Sequence, residues 1–314
     1  MTQQIFPRCS DAARERCDPM AGTAAPARRW LLIEHPGPWA IDALAGSGID
    51  SHVQDQLQVA ARAGSARILL VRRPGRQPRD DSARAWAVVD HSPLAGQVWG
   101  TWTQDDDLLA AVHLLSGPRL EGPPTTPGDP VLLVCTHGRH DTCCAVRGRP
   151  LAAALAARWP EWTWECSHVG GDRFAANLVV LPDGAYYGRV EPEDGVALVQ
   201  AHLRDEVPAD SLRGVSTEPP VVQAAIVQAL QRFGPAGIRD VRGSGLQPLG
   251  RDAWLVHLEG EGAVPHALVA TVERTRRPPA RLTCRATLES SADGYVVQDL
   301  RELHAEPARL AERG

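Results

Sequence analysis

Short apolar runs alternate with amphipathic stretches along this chain of 314 residues. Val131–Cys135 is apolar throughout and brief, which predicts a buried strand. Cys144–Trp159 follows as a helix, with Val146, Leu151, Leu155 and Ala156 available for a packed face. Trp162–Ser167 reads as a second strand. Asn177–Leu181 and Ala185–Val190 form a hairpin around Pro182-Asp183-Gly184, where Asp-Gly suits a tight turn. Glu191–Leu203 closes the series as a helix that can pack through Val196, Leu198, Val199 and Leu203. The order is β-α-β-β-β-α.

The preceding residues run through the same order. Trp30–Glu34 predicts a strand, Ser51–Ala63 a helix, Ala66–Arg72, Ala85–Asp90 and Gln97–Thr101 strands, and Asp105–Leu115 a helix. With no cysteine after its first strand, this half reads as a degenerate repeat that lacks the site. Beyond Val207-Pro208 come a helix, Pro219–Phe233, and strands over Gly237–Arg242, Ala253–Leu258, His266–Val272, Arg281–Leu288 and Gly294–Asp299. The Gly-rich pieces Arg242–Gly245 and Gly260–Gly262 lack the strand-GxGxxG-helix setting of a dinucleotide site and read as turns. The Pro-rich punctuation at Gly122–Pro130 separates the first part from the second. The expected organisation is therefore 1–128, an N-terminal α/β region; 129–208, the segment bearing the candidate chemistry; and 209–314, a C-terminal α+β region.

Composition narrows the classes of function. The net charge of −5 argues against nucleic acid or an anionic membrane as a general partner. Every basic residue is arginine, a compositional bias that makes Arg274-Thr-Arg-Arg277 a solvated loop rather than a polyanion site. Met1–Met20 has no apolar core of a signal peptide and no stretch approaches ~20 apolar residues, so neither secretion nor membrane spanning is expected, and a cytoplasmic setting is. Seven cysteines, an odd number in a large chain, fit reduced thiols better than a disulfide framework.

Four of the seven fall between positions 135 and 166, and that bunching carries the candidate chemistry. Cys135 ends a strand and Cys144 opens a helix, where the dipole and free N–H groups stabilise a thiolate. The loop between them holds His137, Gly138, His140 and Asp141. Cys166 and His168, two apart at a strand end, share one face of the sheet. Gly170-Gly171 permits a close turn with N–H groups aimed inward, and Asp172 stands four residues after His168. Cys143 is expected to point away as a bystander, and Cys284 to lie in a strand in the core. Cys9 and Cys17 have no position assignable from sequence.

Cys135-Thr-His-Gly-Arg-His-Asp-Thr-Cys-Cys144, His168-Val-Gly-Gly-Asp-Arg-Phe-Ala-Ala-Asn177 and Leu181-Pro-Asp-Gly-Ala-Tyr-Tyr-Gly-Arg189 resemble the sucrase/ferredoxin-like family. These motifs span roughly a quarter of the chain. That family resembles thioredoxin-like [2Fe-2S] ferredoxins. The resemblance implies that two cysteines with eight residues between them bind one iron and an H-x3-H pair binds the other. Cys135 and Cys144 match the cysteines and His168 the first histidine, while Asp172 stands where the second histidine would be. Carboxylate is a hard ligand for such a cluster. Either Asp172 supplies the fourth bond, as the register implies, or Cys166 supplies it with Asp172 orienting His168, or the cluster is absent. By the same register Gly170, Gly171, Arg173, Asn177 and Arg189 surround the site.

The resemblance implies an electron-transfer protein, working with a redox protein partner that the sequence does not identify. Imidazole in place of thiolate makes the cluster less negative and its potential higher than in an all-cysteine ferredoxin. The alternatives are a thioredoxin-like thiol oxidoreductase, weakened by the absence of a C-x-x-C site, and a structural zinc protein. No pair of carboxylates is identifiable as a glycosidase acid and nucleophile, so sucrase activity is not expected.

Overall fold

The computed structural model describes residues 7–75, 83–91, 96–117 and 129–303. The Pro-rich stretch at 122–128 lies outside the described residues. Mixed α/β architecture with a thioredoxin-like element order, as expected from the sequence, is what the chain adopts. Helix α1 (Cys9–Glu15) precedes a first series: β1 (Arg29–Glu34), α2 (Ser51–Ala63), β2 (Ala66–Arg72), β3 (Arg84–Asp90), β4 (Gln97–Trp102) and α3 (Ala110–Ser116). The second series is β5 (Val131–Cys135), α4 (Thr142–Arg158), β6 (Thr163–Cys166), β7 (Leu178–Leu181), β8 (Ala185–Tyr187) and α5 (Pro192–Leu203).

All these strands join one nine-stranded sheet, completed by β9 (Leu212–Val215), in the order β4-β3-β1-β2-β6-β5-β7-β8-β9. In each half the first two strands are parallel and the third is antiparallel to the first. One connection pattern therefore occurs twice. The halves meet where β2 and β6 pair antiparallel through only two registers, Val71↔Cys166 and Arg72↔Glu165. Because only the C-terminal ends of these strands overlap, the ends of β1 and β5, and the loops that follow them, converge on the seam. Arg72 and Glu165 close it with a 2.7 Å ion pair, largely shielded from water.

Alternation along the strands divides the packing, as the period of two requires. Leu132, Val134, Leu178 and Val180 pack with Leu151 and Leu155 of α4 and Leu198 and Val199 of α5. Leu31, Ile33, Leu70 and Val88 pack with Val53, Leu57 and Leu115 on the first half's helices. The remaining positions form a core shared by both halves, with Trp30, Leu69 and Val71 beside Leu133, Trp164 and Cys166. Val146 and Leu203, expected on packed faces, are instead exposed (43 % and 41 %). Val146 is five residues from Leu151, well round the helix from the Leu151–Leu155 stripe.

The C-terminal part has helix α6 (Pro220–Phe233) and a second, antiparallel sheet of β10 (Val241–Pro248), β11 (Ala253–Gly260), β12 (Ala267–Arg276) and β13 (Asp293–Glu302). Strand β9 lies past the 208/209 divide drawn from sequence, yet it pairs with β8 in the large sheet. The strand expected at Gly237–Arg242 begins only at Val241, because the Asp240 carboxylate accepts a 2.7 Å hydrogen bond from Gly237 N and closes a turn. Arg242–Gly245, expected as a turn, belongs to β10, with a register shift at Gly243/Gly245. Arg281–Leu288, expected as a strand, is a loop: the Arg281 guanidinium donates to the carbonyls of Cys284 and Ala286 and folds the backbone back. Among the described residues no helix is long and apolar enough to cross a membrane.

Candidate metal centre

Strand β5 delivers Cys135 to the seam, and Cys166 is its register partner on β6. Helix α4 delivers Cys144 from its first turn. Asp141 caps that helix, accepting from Cys143 N at 2.8 Å. The approach of helix to strand depends on Gly148, where a Cβ would fall 2.1 Å from the Cys135 carbonyl oxygen. Cys135 and Cys144 are consequently both buried, at 1 % and 0 % exposure. The Cys135 thiol is held well below its ordinary pKa by its contact with Cys144 and, against burial, by His168. Cys144 is correspondingly pushed up by Cys135 and by burial.

His168 and Asp172 complete the group. His168 Nδ1 lies 2.9 Å from Asp172 Oδ1, and Cys144 Sγ donates to the same oxygen at 3.2 Å. Burial opposes charge on His168, but Asp172 and Cys135 outweigh it and push the imidazole up to about 9. Asp172 is buried, which favours its neutral form, yet His168 and the Cys144 thiol hold it below the ordinary carboxylate range. Despite the short distance, the His168 Nδ1 axis is misaligned and the buried atom has no hydrogen bond of good geometry. Two thiols, a ring nitrogen and a carboxylate thus meet at one seam, and sulfur with imidazole is the donor chemistry that thiophilic metals take.

Sequence reasoning placed His140 in the loop but not among the ligands. Its Nε2 lies 3.6 Å from Asp172 Oδ2, and its ring stacks on His168 with centroids 3.7 Å apart. His140, His168 and Asp172 could together hold an ion. The only sequence signal was a second histidine in the loop after β5. The first half supplies the wall: His137 Nε2 meets the Ala40 carbonyl at 2.6 Å, His140 Nδ1 approaches that of Ile41 at 3.4 Å, and Arg67 donates to the His168 carbonyl at 3.2 Å.

Cys166 is fully buried beside Cys135, and burial, followed by the Cys135 charge, pushes its thiol well up. Gly170 and Gly171 make the turn with φ of 94° and 77°. A Cβ on Gly171 would sit 2.4 Å from the Arg213 guanidinium, which fills that space. Arg213, absent from the sequence reading because it lies on distant β9, is buried and donates to the Gly170 carbonyl at 2.9 Å, to Asn177 Oδ1 at 2.8 Å and to the Thr23 carbonyl at 2.5 Å. Asn177 in turn donates to the Gly171 carbonyl at 3.0 Å. Arg173 and Arg189 turn toward the N-terminal segment. Arg173 Nε lies 3.6 Å from Asp18 Oδ2, and Arg189 donates to the carbonyls of Ala13 and Asp18. Cys143 does point away from Cys144 but is no bystander: it meets Cys9 and Cys284, and Cys284 is a half-buried loop residue rather than a strand residue in the core.

The sequence profile described as sucrase/ferredoxin-like matches residues 20–214, more than half of the chain. Altered inheritance of mitochondria protein 32 from Meyerozyma guilliermondii is 32% identical over 89 residues, covering 25% of this chain and 32% of that relative. The match thus spans about a third of the relative's length. A thioredoxin-like [2Fe-2S] ferredoxin from Aquifex aeolicus aligns at 23% identity and a TM-score of 0.25, covering 29% of this chain and 94% of its own. A cysteine-to-serine variant of that ferredoxin aligns at 24% identity and 0.23, covering 26% and 95%.

Proposed function

The chain belongs to the sucrase/ferredoxin-like family, and from that membership we propose that it is an electron-transfer protein whose [2Fe-2S] cluster is held by Cys135, Cys144, His168 and Asp172. The observation that carries this reading is the convergence of two buried thiols with an imidazole and a carboxylate at one seam, with His168 Nδ1 lacking an aligned hydrogen bond. When bound, such a cluster supplies one-electron oxidation and reduction without bond-making chemistry in the protein.

The residues divide the remaining work. Cys135 and Cys144 sit where water is excluded, while His168 and His140 keep roughly a quarter of their side chains exposed, 29 % and 27 %. The histidine edge is therefore where a redox protein partner would dock. His168 must release its proton to act as a ligand, so loading is favoured as pH rises toward about 9. Arg213 and Asn177 fix the Gly170-Gly171 turn that carries His168 to Asp172. Asp172 is favoured over Cys166 as fourth ligand because it already touches His168 and Cys144. A cytoplasmic setting belongs to the same proposal, since thiolate ligands need a reducing compartment.

The test is anaerobic purification of the full chain, followed by iron and sulfide analysis, visible absorption and electron paramagnetic resonance of the reduced protein. Two irons and two sulfides per chain, with a potential that falls as pH rises, are expected. A colourless protein without sulfide sinks the proposal.

A further inference from the structure

Three thiols from distant parts of the chain meet behind the helix start that carries Cys144. Cys9 comes from α1, Cys143 from the first turn of α4, and Cys284 from the loop between β12 and β13. Their sulfurs form a closed triangle: Cys9 to Cys143 3.6 Å, Cys143 to Cys284 3.3 Å, and Cys284 to Cys9 3.6 Å. The Asp141 carboxylate stands over it, with Oδ2 3.5 Å from Cys9 Sγ. One donor atom from each of the four residues can be chosen so that all lie within 4.8 Å of one another. We propose that Cys9, Cys143, Cys284 and Asp141 form a structural zinc site, separate from the centre at Cys135 and Cys144.

Geometry selects a single ion. Zinc–sulfur bonds of about 2.3 Å at the tetrahedral angle put thiolate sulfurs about 3.8 Å apart, close to the two 3.6 Å sides of this triangle and within about half an ångström of the 3.3 Å one. A two-iron or four-iron cluster would distribute three thiolates over at least two irons and set at least one pair farther apart. Three soft donors with one carboxylate suit zinc among the common divalent ions. The site is also closed. Cys9, Cys143 and Asp141 are at most 2 % exposed and Cys284 is half-buried, and four protein ligands leave no open position for a substrate.

The carboxylate is held in place for this role. Cys143 N donates to Asp141 Oδ1 at 2.8 Å and Cys284 N to Oδ2 at 2.6 Å, and each oxygen keeps a further lone pair. Ser10 Oγ donates to Cys143 Sγ at 3.2 Å and receives from Arg147 Nε at 3.0 Å, so a cationic side chain backs the sulfur cluster. Without an ion, three thiols and a carboxylate would crowd a buried space in which each ionised group repels the others. With one, the N-terminal helix and the loop of the second sheet are stapled to the helix start that holds Cys144. This proposal does not depend on what occupies the centre at Cys135.

The test uses the full chain, purified anaerobically without chelator, with zinc and iron counted by elemental mass spectrometry. Wild type is compared with Cys143→Ser, Cys284→Ser and the exposed control Cys17→Ser. One zinc per chain is expected in wild type and Cys17→Ser, falling roughly tenfold or more in the other two, with iron unchanged in Cys284→Ser. Should those variants fail to fold, zinc K-edge absorption on wild type alone reads three sulfur neighbours at about 2.3 Å and one oxygen. Wild type without zinc, zinc retained in both variants, a shell of nitrogen and oxygen only, or a disulfide among the three cysteines would each overturn the assignment.

Discussion

His140 stacks on His168 with ring centroids 3.7 Å apart and planes 24° from parallel, while His140 Nε2 and His168 Nδ1 lie 3.6 and 2.9 Å from the Asp172 carboxylate oxygens. The stack fixes a ring that a strand-end loop would otherwise leave free to rotate.

Replacing His140 with alanine should therefore loosen His168 without removing a sulfur. The expected result is a roughly tenfold faster loss of iron to a chelator, in line with the typical cost of removing a residue that orients a ligand. His140→Phe, which keeps a stacking ring, should recover part of it. Equal loss rates in wild type and His140→Ala would refute the positioning role.

The fourth ligand separates by substitution. Asp172→Ala should lose iron and sulfide, Asp172→His should keep both and raise the potential by removing a negative charge, and Cys166→Ala should keep both. Iron and sulfide per chain, with electron paramagnetic resonance, decide the matter. Loss in Cys166→Ala with retention in Asp172→Ala would reverse the assignment.

Gly148 predicts a stability effect. A Cβ there would stand 2.1 Å from the backbone oxygen of Cys135, which no side-chain rotation can relieve. Gly148→Ala should destabilise the fold by about 3 kcal/mol through displacement of α4 from β5, although alanine has the better helix propensity. Urea unfolding measures it, and a neutral or stabilising result would mean that the helix shifts freely.

Acid sensitivity should arise partly at Asp183. Its Oδ2 lies 3.0 Å from His202 Nε2, and Arg239 donates to Oδ1 at 2.9 Å. Burial would raise its pKa, but His202 and Arg239 outweigh burial and hold it below the ordinary value. A depressed folded pKa gives stability that is full above about 3.9, the unfolded value, and is lost as pH falls through the folded one. Asp183→Asn should accordingly flatten the acid limb of stability, read as the urea midpoint against pH. A limb as steep as in wild type would place the sensitivity elsewhere.

Local pattern carried much of the architecture. Ser51–Ala63 and Ala66–Arg72 fall on the residues expected from apolar periodicity, because helix and strand period are written in neighbouring positions. Cys135 ends β5, Cys144 lies in the first turn of α4, and His168 and Asp172 lie in the loop after β6, so their spacing along one β-α-β-β-β-α series marks them as neighbours. Arg281–Leu288 failed as a strand because a side chain satisfies the backbone there, and periodicity does not register such bonds.

The sequence by itself determined the repeated element order and the sulfur-histidine-carboxylate set of the candidate centre. Only the tertiary structure decided that β2 and β6 join the two halves, that His140 stacks against His168, that Arg213 braces the Gly170-Gly171 turn, and that Cys9 and Cys284 reach Cys143. The physical reason is separation. Cys9 and Cys284 are 275 positions apart, and no local pattern couples residues whose contact depends on how two sheets and an N-terminal helix pack.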